Sequence, residues 1–104
     1  MAAVLTDRSG ASLGFSADRL DSVLAELDIP IDVEHPDIAV TDESGWTLSA
    51  TSGGLLVWEN VDTDDPPRHR RAVDRSEVRR LFEAVGRGDL PTVDLVDWEP
   101  GYGA

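Results

Sequence analysis

Two segments of this chain carry a complete helix signature, and each has a single apolar face, so each needs a second surface to lie on. In the first, Ser16 stands as N-cap and Leu20, Val23, Leu24 and Leu27 recur at the spacing of one helical face. Phe15 and Leu20 occupy the positions of a hydrophobic staple, and Pro30 ends the segment. In the second, Asp74 is the N-cap and Glu77 the N3 partner of a capping box, with Val73 and Val78 as staple. Its stripe is Val78, Leu81, Phe82 and Val85, stopped by Gly86 and Gly88.

The remaining apolar residues have the spacing of strands, which supplies that surface. Trp46, Leu48 and Ala50 alternate with Thr47 and Ser49; Thr51-Ser52-Gly53-Gly54 turns; and Leu55 to Val61 runs back, the strongest hairpin signal here. Ile38–Thr41 adds a strand ahead of it, and Thr92–Trp98 reads as a last strand after the second helix. Ala3–Thr6 and Ser12–Phe15 flank Asp7-Arg8-Ser9-Gly10 as a first hairpin. Ile29–Asp37 is a connector able to form a short edge strand, and Asp62–Arg71, broken by Pro66-Pro67, is expected as an exposed loop. The order ββ-α-β-β-β-α-β implies one α+β domain over residues 1–104, with two helices packed on one face of a largely antiparallel sheet. A chain of 104 residues with 40% hydrophobic content is large enough to fold around its own core.

Charge narrows the functional classes. The chain holds 21 acidic residues and nine arginines, has no lysine, and carries a net charge of −12. Residues 1–67 contain fourteen acids against two arginines, whereas residues 68–104 contain seven of each. Such a surplus attracts cationic partners and repels nucleic acid and anionic membranes. Arg68, Arg70, Arg71, Arg75, Arg79 and Arg80 do not form a phosphate-binding stripe, because Asp74, Glu77 and Glu83 interleave with them. They are expected to pair with the protein's own acids, Glu83 and Arg87 at i, i+4 among them. With no cysteine, disulfides and thiolate metal sites are excluded. An acid at position 7, before any apolar stretch of signal length, and no run of 18 apolar residues suit a cytoplasmic protein.

No cofactor or metal is expected. Asp62-Thr63-Asp64-Asp65 lacks the glycine and distal glutamate of a calcium loop, and Gly53-Gly54 is a turn with no phosphate-loop pattern. His35 and His69 fall in expected loops and read as exposed polar residues, with no glycine-elbow serine in the chain. No catalytic residue is therefore assigned. Trp46, Trp58 and Trp98 are on expected strands, where large aromatics are usually core. Trp58-Glu59 and Trp98-Glu99 each set an aromatic beside a carboxylate near a strand end, an arrangement that suits a partner's Arg or Lys.

The later part of the chain resembles a known group. A hairpin with Gly54-Leu55-Leu56-Val57-Trp58, a proline-bearing loop, a helix from Val78 to Gly88, then Leu90-Pro91-Thr92-Val93 and Trp98 is similar to small immunity proteins of bacterial polymorphic-toxin systems, the Imm1-like group. The resemblance implies a non-catalytic inhibitor that forms a heterodimer with a cognate toxin and occludes its active site. Charge agrees: a toxin that acts on nucleic acid needs a basic cleft, which −12 attracts at long range. The expected partner-binding residues are Trp58, Glu59, Asp62, Asp64, Asp65, Asp97, Trp98 and Glu99. The alternatives are an acidic DNA-mimic inhibitor of the anti-restriction or anti-CRISPR type, a small enzyme built on His35 or His69, and an acid-rich surface adapted to salt.

Overall fold

Two rows of residues, one on each side of a sheet, organise the molecule. The structure, a computed structural model, describes residues 3–7, 10–26, 37–51, 54–60, 62–63, 65–71 and 74–101. Its strands are β1 (Val4–Thr6), β2 (Ser12–Gly14), β3 (Asp37–Thr41), β4 (Trp46–Thr51), β5 (Leu55–Asn60), β6 (Arg68–Arg71) and β7 (Glu99–Pro100). They pair antiparallel throughout in the order β2-β1-β3-β4-β5-β6-β7. Because side chains alternate along a strand, the register lines up Leu13, Leu5, Val40, Leu48, Trp58, Arg68 and Pro100 on one face. The row beside it, Ser12, Thr6, Ala39, Ser49, Val57, His69 and Glu99, lies on the other.

The helices cover only the first face. In α1 (Ala17–Ala25), the Ser16 side chain caps Arg19 N–H, and Leu20, Val23 and Leu24 are buried. In α2 (Arg75–Gly86), Asp74 caps Glu77 N–H, and Val78, Leu81, Phe82, Ala84 and Val85 are buried. Together with Leu5, Ile38, Val40, Leu48, Ala50, Leu56 and Trp58 they make one core. Burying this many large side chains, at roughly 1.5–3 kcal/mol each, is the main favourable term in folding. The two helices are tied by Arg75, whose guanidinium donates to the Leu24 carbonyl at 3.0 Å, and by Arg79, 3.0 Å from Asp21. The first contact satisfies a carbonyl orphaned at the end of α1. Gly88, at φ 76°, ends α2: its N–H donates to the Val85 carbonyl and that of Asp89 to the Ala84 carbonyl. This paired closure needs a left-handed residue that glycine adopts without strain.

The expected α+β class and the covering of one face stand, two elements differ, and a third lies outside the described residues. The segment expected as a last strand, Thr92–Trp98, instead begins inside a third helix, α3 (Leu90–Asp94), with Pro91 in its first turn; β7 starts only at Glu99. The loop expected over Asp62–Arg71 ends in β6, a strand of charged residues held by pairing with β5. The connector expected over Ile29–Asp37 lies outside the described residues except for Asp37, which opens β3, and so do Leu27 and Val73.

Candidate protein-binding site

Where the nine arginines go decides what the charge can do. Arg68 lies 3.4 Å from Asp94, Arg70 donates to Glu77 at 2.6 Å, Arg79 pairs with Asp21 and Glu83, and Arg87 is 3.8 Å from Glu83. The Glu77 contact, reinforced by the field of Asp97, holds the Arg70 guanidinium above its ordinary pKa. Arg19 and Arg75 donate to the carbonyls of Gly14 and Leu24. The expectation that the arginines pair with the chain's own acids holds for Arg68, Arg70 and Arg79 and for the Glu83–Arg87 spacing, whereas Arg75 meets a backbone carbonyl.

Several carboxylates have no cation at ion-pair distance among the described residues: Asp18, Asp37, Asp74, Asp89 and Asp97 are in separate parts of the fold, and four others share one end of the sheet. Alternate turns of an antiparallel meander fall at the same end, so the β3–β4 turn and the β5–β6 loop are neighbours. Asp42 is buried and holds its own turn, accepting from Ser44 N–H at 3.0 Å and Ser44 Oγ at 2.5 Å. Asn60 joins the two segments: its Nδ2 donates to the Ser44 carbonyl, and its Oδ1 accepts from Asp62 N–H at 2.9 Å. Gly45, at φ 95°, packs so close that a Cβ there would lie 2.5 Å from Asp62 Oδ2 and 2.7 Å from Asn60 Oδ1. Glu43, Asp62 and Asp65 are exposed around this joint. Among the described residues, none of Asp42, Glu43, Asp62 or Asp65 has an Arg or His at ion-pair distance.

A second feature lies at the other end of β6. After β7 pairs with Arg68 and His69, the chain diverges at Trp98 and leaves a groove of about 660 Å³ lined by Leu55, His69, Arg70, Arg71, Asp97, Trp98 and Glu99. His69 is half-buried on a strand, not on the exposed loop expected for it. Its Nδ1 lies 3.0 Å from the Gly101 carbonyl oxygen and its Nε2 3.3 Å from the Glu99 carboxylate. Both ring nitrogens are thus engaged by the chain itself, whereas a general base needs one directed at its substrate. No serine, threonine or cysteine lines the groove.

The expected partner-binding residues divide among several places. Trp58 is a correction: it is fully buried, with Nε1 donating to Asp94 at 2.8 Å, and so cannot meet a partner. Its ring lies 4.9 Å from that of Trp46 and 6.4 Å from that of Trp98, and Arg68 sits 5.8 Å over Trp46. Trp98 is half-buried on this stack, with Nε1 donating to the Val93 carbonyl. Glu59 is half-buried on the uncovered face, opposite Thr47. Asp62 and Asp65 belong to the acidic end, Asp97 and Glu99 to the groove, so strand β6 separates the two sets; Asp64, His35 and Tyr102 lie outside the described residues. Asp42 and Glu43 were missed, because they are distant along the chain from the Asp62–Asp65 cluster and reach it through the pairing of β3 with β4 and of β4 with β5.

Among the described residues, no group of three or more His, Asp or Glu side chains could hold a metal ion. No helix there is long and apolar enough to cross a membrane. Comparison of the chain with family models, curated proteins and solved structures finds no match.

Proposed function

We propose that this chain is an immunity-type inhibitor: it binds a cognate toxin in the cytoplasm and occludes a basic, nucleic-acid-acting cleft with an acidic surface. One observation carries the reading. Arg68, Arg70, Arg79 and Arg87 pair with carboxylates within the fold, while Glu43, Asp62 and Asp65 stand exposed on two joined turns with no described cation at ion-pair distance, so that end of the sheet presents a negative field. A field of this kind raises the rate of encounter with a cationic cleft and places carboxylates where phosphates would sit. The DNA-mimic alternative calls for carboxylates along an elongated surface, and the extents of 32 × 30 × 24 Å suit it less.

The test uses the purified product of the open reading frame adjacent to this one in its source genome. A stoichiometric complex is expected, with an association rate that falls steeply as salt rises. No complex, or an association rate indifferent to salt, overturns the reading.

A further inference from the structure

The uncovered face of the sheet has a composition that the acidic turns do not explain. Its central row, Thr6, Ala39, Ser49 and Val57, contains no charge, and no described helix packs on it. Charged groups stand toward its margins: Asp37 at the start of β3, Glu59 near the end of β5, Arg71 at the end of β6, and Glu99 on the last strand beside His69. The acidic β3–β4 turn and β5–β6 loop continue the face at one end. A flat neutral centre inside a charged margin is the anatomy of a protein interface.

We infer that this uncovered sheet face, continuous with the acidic turns, is the surface on which the cationic partner docks. The inference rests on the proposed inhibitor reading and names its contact surface. Size supports joining the two parts. Strands about 4.8 Å apart and about 20 Å long give a seven-stranded face of at most roughly 600 Å². A stable interface covers about 800 Å² on each partner, so the face needs the adjoining turns to reach that size. Charge selects the occupant. A second copy would bring another −12 and a second pair of acidic turns against the first, whereas a partner with a cationic rim complements those turns. The parts then have separate duties: the turns steer the encounter, and the neutral centre sets how long the complex lasts.

The experiment measures association and dissociation rates between the adjacent-frame product and three forms of the full chain: wild type, Ser49→Arg, and Asp62→Asn with Asp65→Asn. Ser49→Arg adds bulk and positive charge at the centre of the face and should raise the dissociation rate by about tenfold or more, with association changed by less than about threefold. The Asn pair should do the reverse. Thermal melts establish that each variant is folded, and amide exchange on the wild-type complex should show protection in β3, β4 and β5, a readout that needs no variant. If wild type binds while Ser49→Arg dissociates as wild type does and β3–β5 gain no protection, the face is wrong and the inhibitor reading survives. If wild type does not bind, both fall. If sedimentation shows that the isolated chain is a dimer lost in Ser49→Arg, a second copy covers the face and the inference is overturned.

Discussion

The acidic turns and the arginine-bearing β6–α2 region are both dense in charge, but their charges meet different fates. In the first, Asn60 and Gly45 hold two turns together, and the carboxylates of Glu43, Asp62 and Asp65 are exposed with no Arg or His at ion-pair distance among the described residues. In the second, Arg70 meets Glu77, Arg79 meets Asp21 and Glu83, and Arg75 closes the end of α1. The same net composition could have been spread evenly, and then the surplus would carry no direction. Charge that ties elements together belongs to stability; charge left at a loop end belongs to the surroundings.

Removing a cation from the paired region should cost the most. Arg70→Ala removes a 2.6 Å bond to Glu77, whose side chain is only 12% exposed, and should destabilise by about 1.5–3 kcal/mol, the scale of a lost hydrogen bond to a charged group. A double-mutant cycle with Glu77→Gln, read by urea denaturation, should show the two changes to be non-additive. Additivity would mean that the pair contributes nothing to the fold. Gly45→Ala comes next. It forces a side chain into positive φ, at about 1–2 kcal/mol, and presses on Asp62 and Asn60 as well. Its diagnostic consequence is at the acidic end, where it should disturb amide exchange in both turns together.

Neutralising the acidic end should hardly touch the fold. Asp62→Asn with Asp65→Asn should change stability by no more than about 0.5 kcal/mol, because both are exposed, neither has a described cation beside it, and the Thr63 hydroxyl that Asp65 accepts from is a surface contact. Any change should be a gain at low salt that fades as salt rises, since self-repulsion is relieved. A melt series in salt checks this. A loss comparable to that of Arg70→Ala would show that the acidic end is part of the scaffold, and the contrast between the regions would collapse.

The sequence made legible those elements whose signals are local. Ser16 and Asp74 cap the helices they were read to cap, and β4 and β5 pair as the hairpin that their alternation implies. What escaped depends on distant partners. Arg68-His69-Arg70-Arg71 has little strand propensity and becomes β6 because β5 offers an edge and because Asp94 and Glu77 receive its arginines. The segment Thr92–Trp98 alternates like a strand, but Pro91 favours a first helical turn, and the stretch then places Asp94 against the buried Trp58 indole. The candidate site was read in part for the same reason. Asp62 and Asp65 were visible as a cluster, while Asp42 and Glu43 join them only through sheet order. Trp58 was misplaced because a tryptophan beside a carboxylate looks alike at a rim and in a core until the facing residue, Leu48, is known.

The smallest effect separates two kinds of carboxylate by titration. Asp74 accepts from Ser76 Oγ at 2.5 Å and from Glu77 N–H at 3.0 Å, and these bonds hold its pKa below the ordinary 3.8. A carboxyl whose folded pKa is depressed adds stability above its unfolded value, and that stability is lost as pH falls through the folded pKa. The contribution of Asp74 is therefore complete above pH 3.8 and fades below it. Asp74→Asn, which keeps an acceptor for the cap but cannot titrate, should give a shallower loss of stability below that point. Asp37 has the opposite sign. Partial loss of water raises its pKa above 3.8, so its charge opposes folding as pH rises through the folded value. Asp37→Asn should then raise the melting temperature at neutral pH, with the gain disappearing below pH 3.8. Melts of both variants from acid to neutral pH check the pair. Slopes of the same sign would mean that the cap and the strand end do not differ as their hydrogen bonds and burial require.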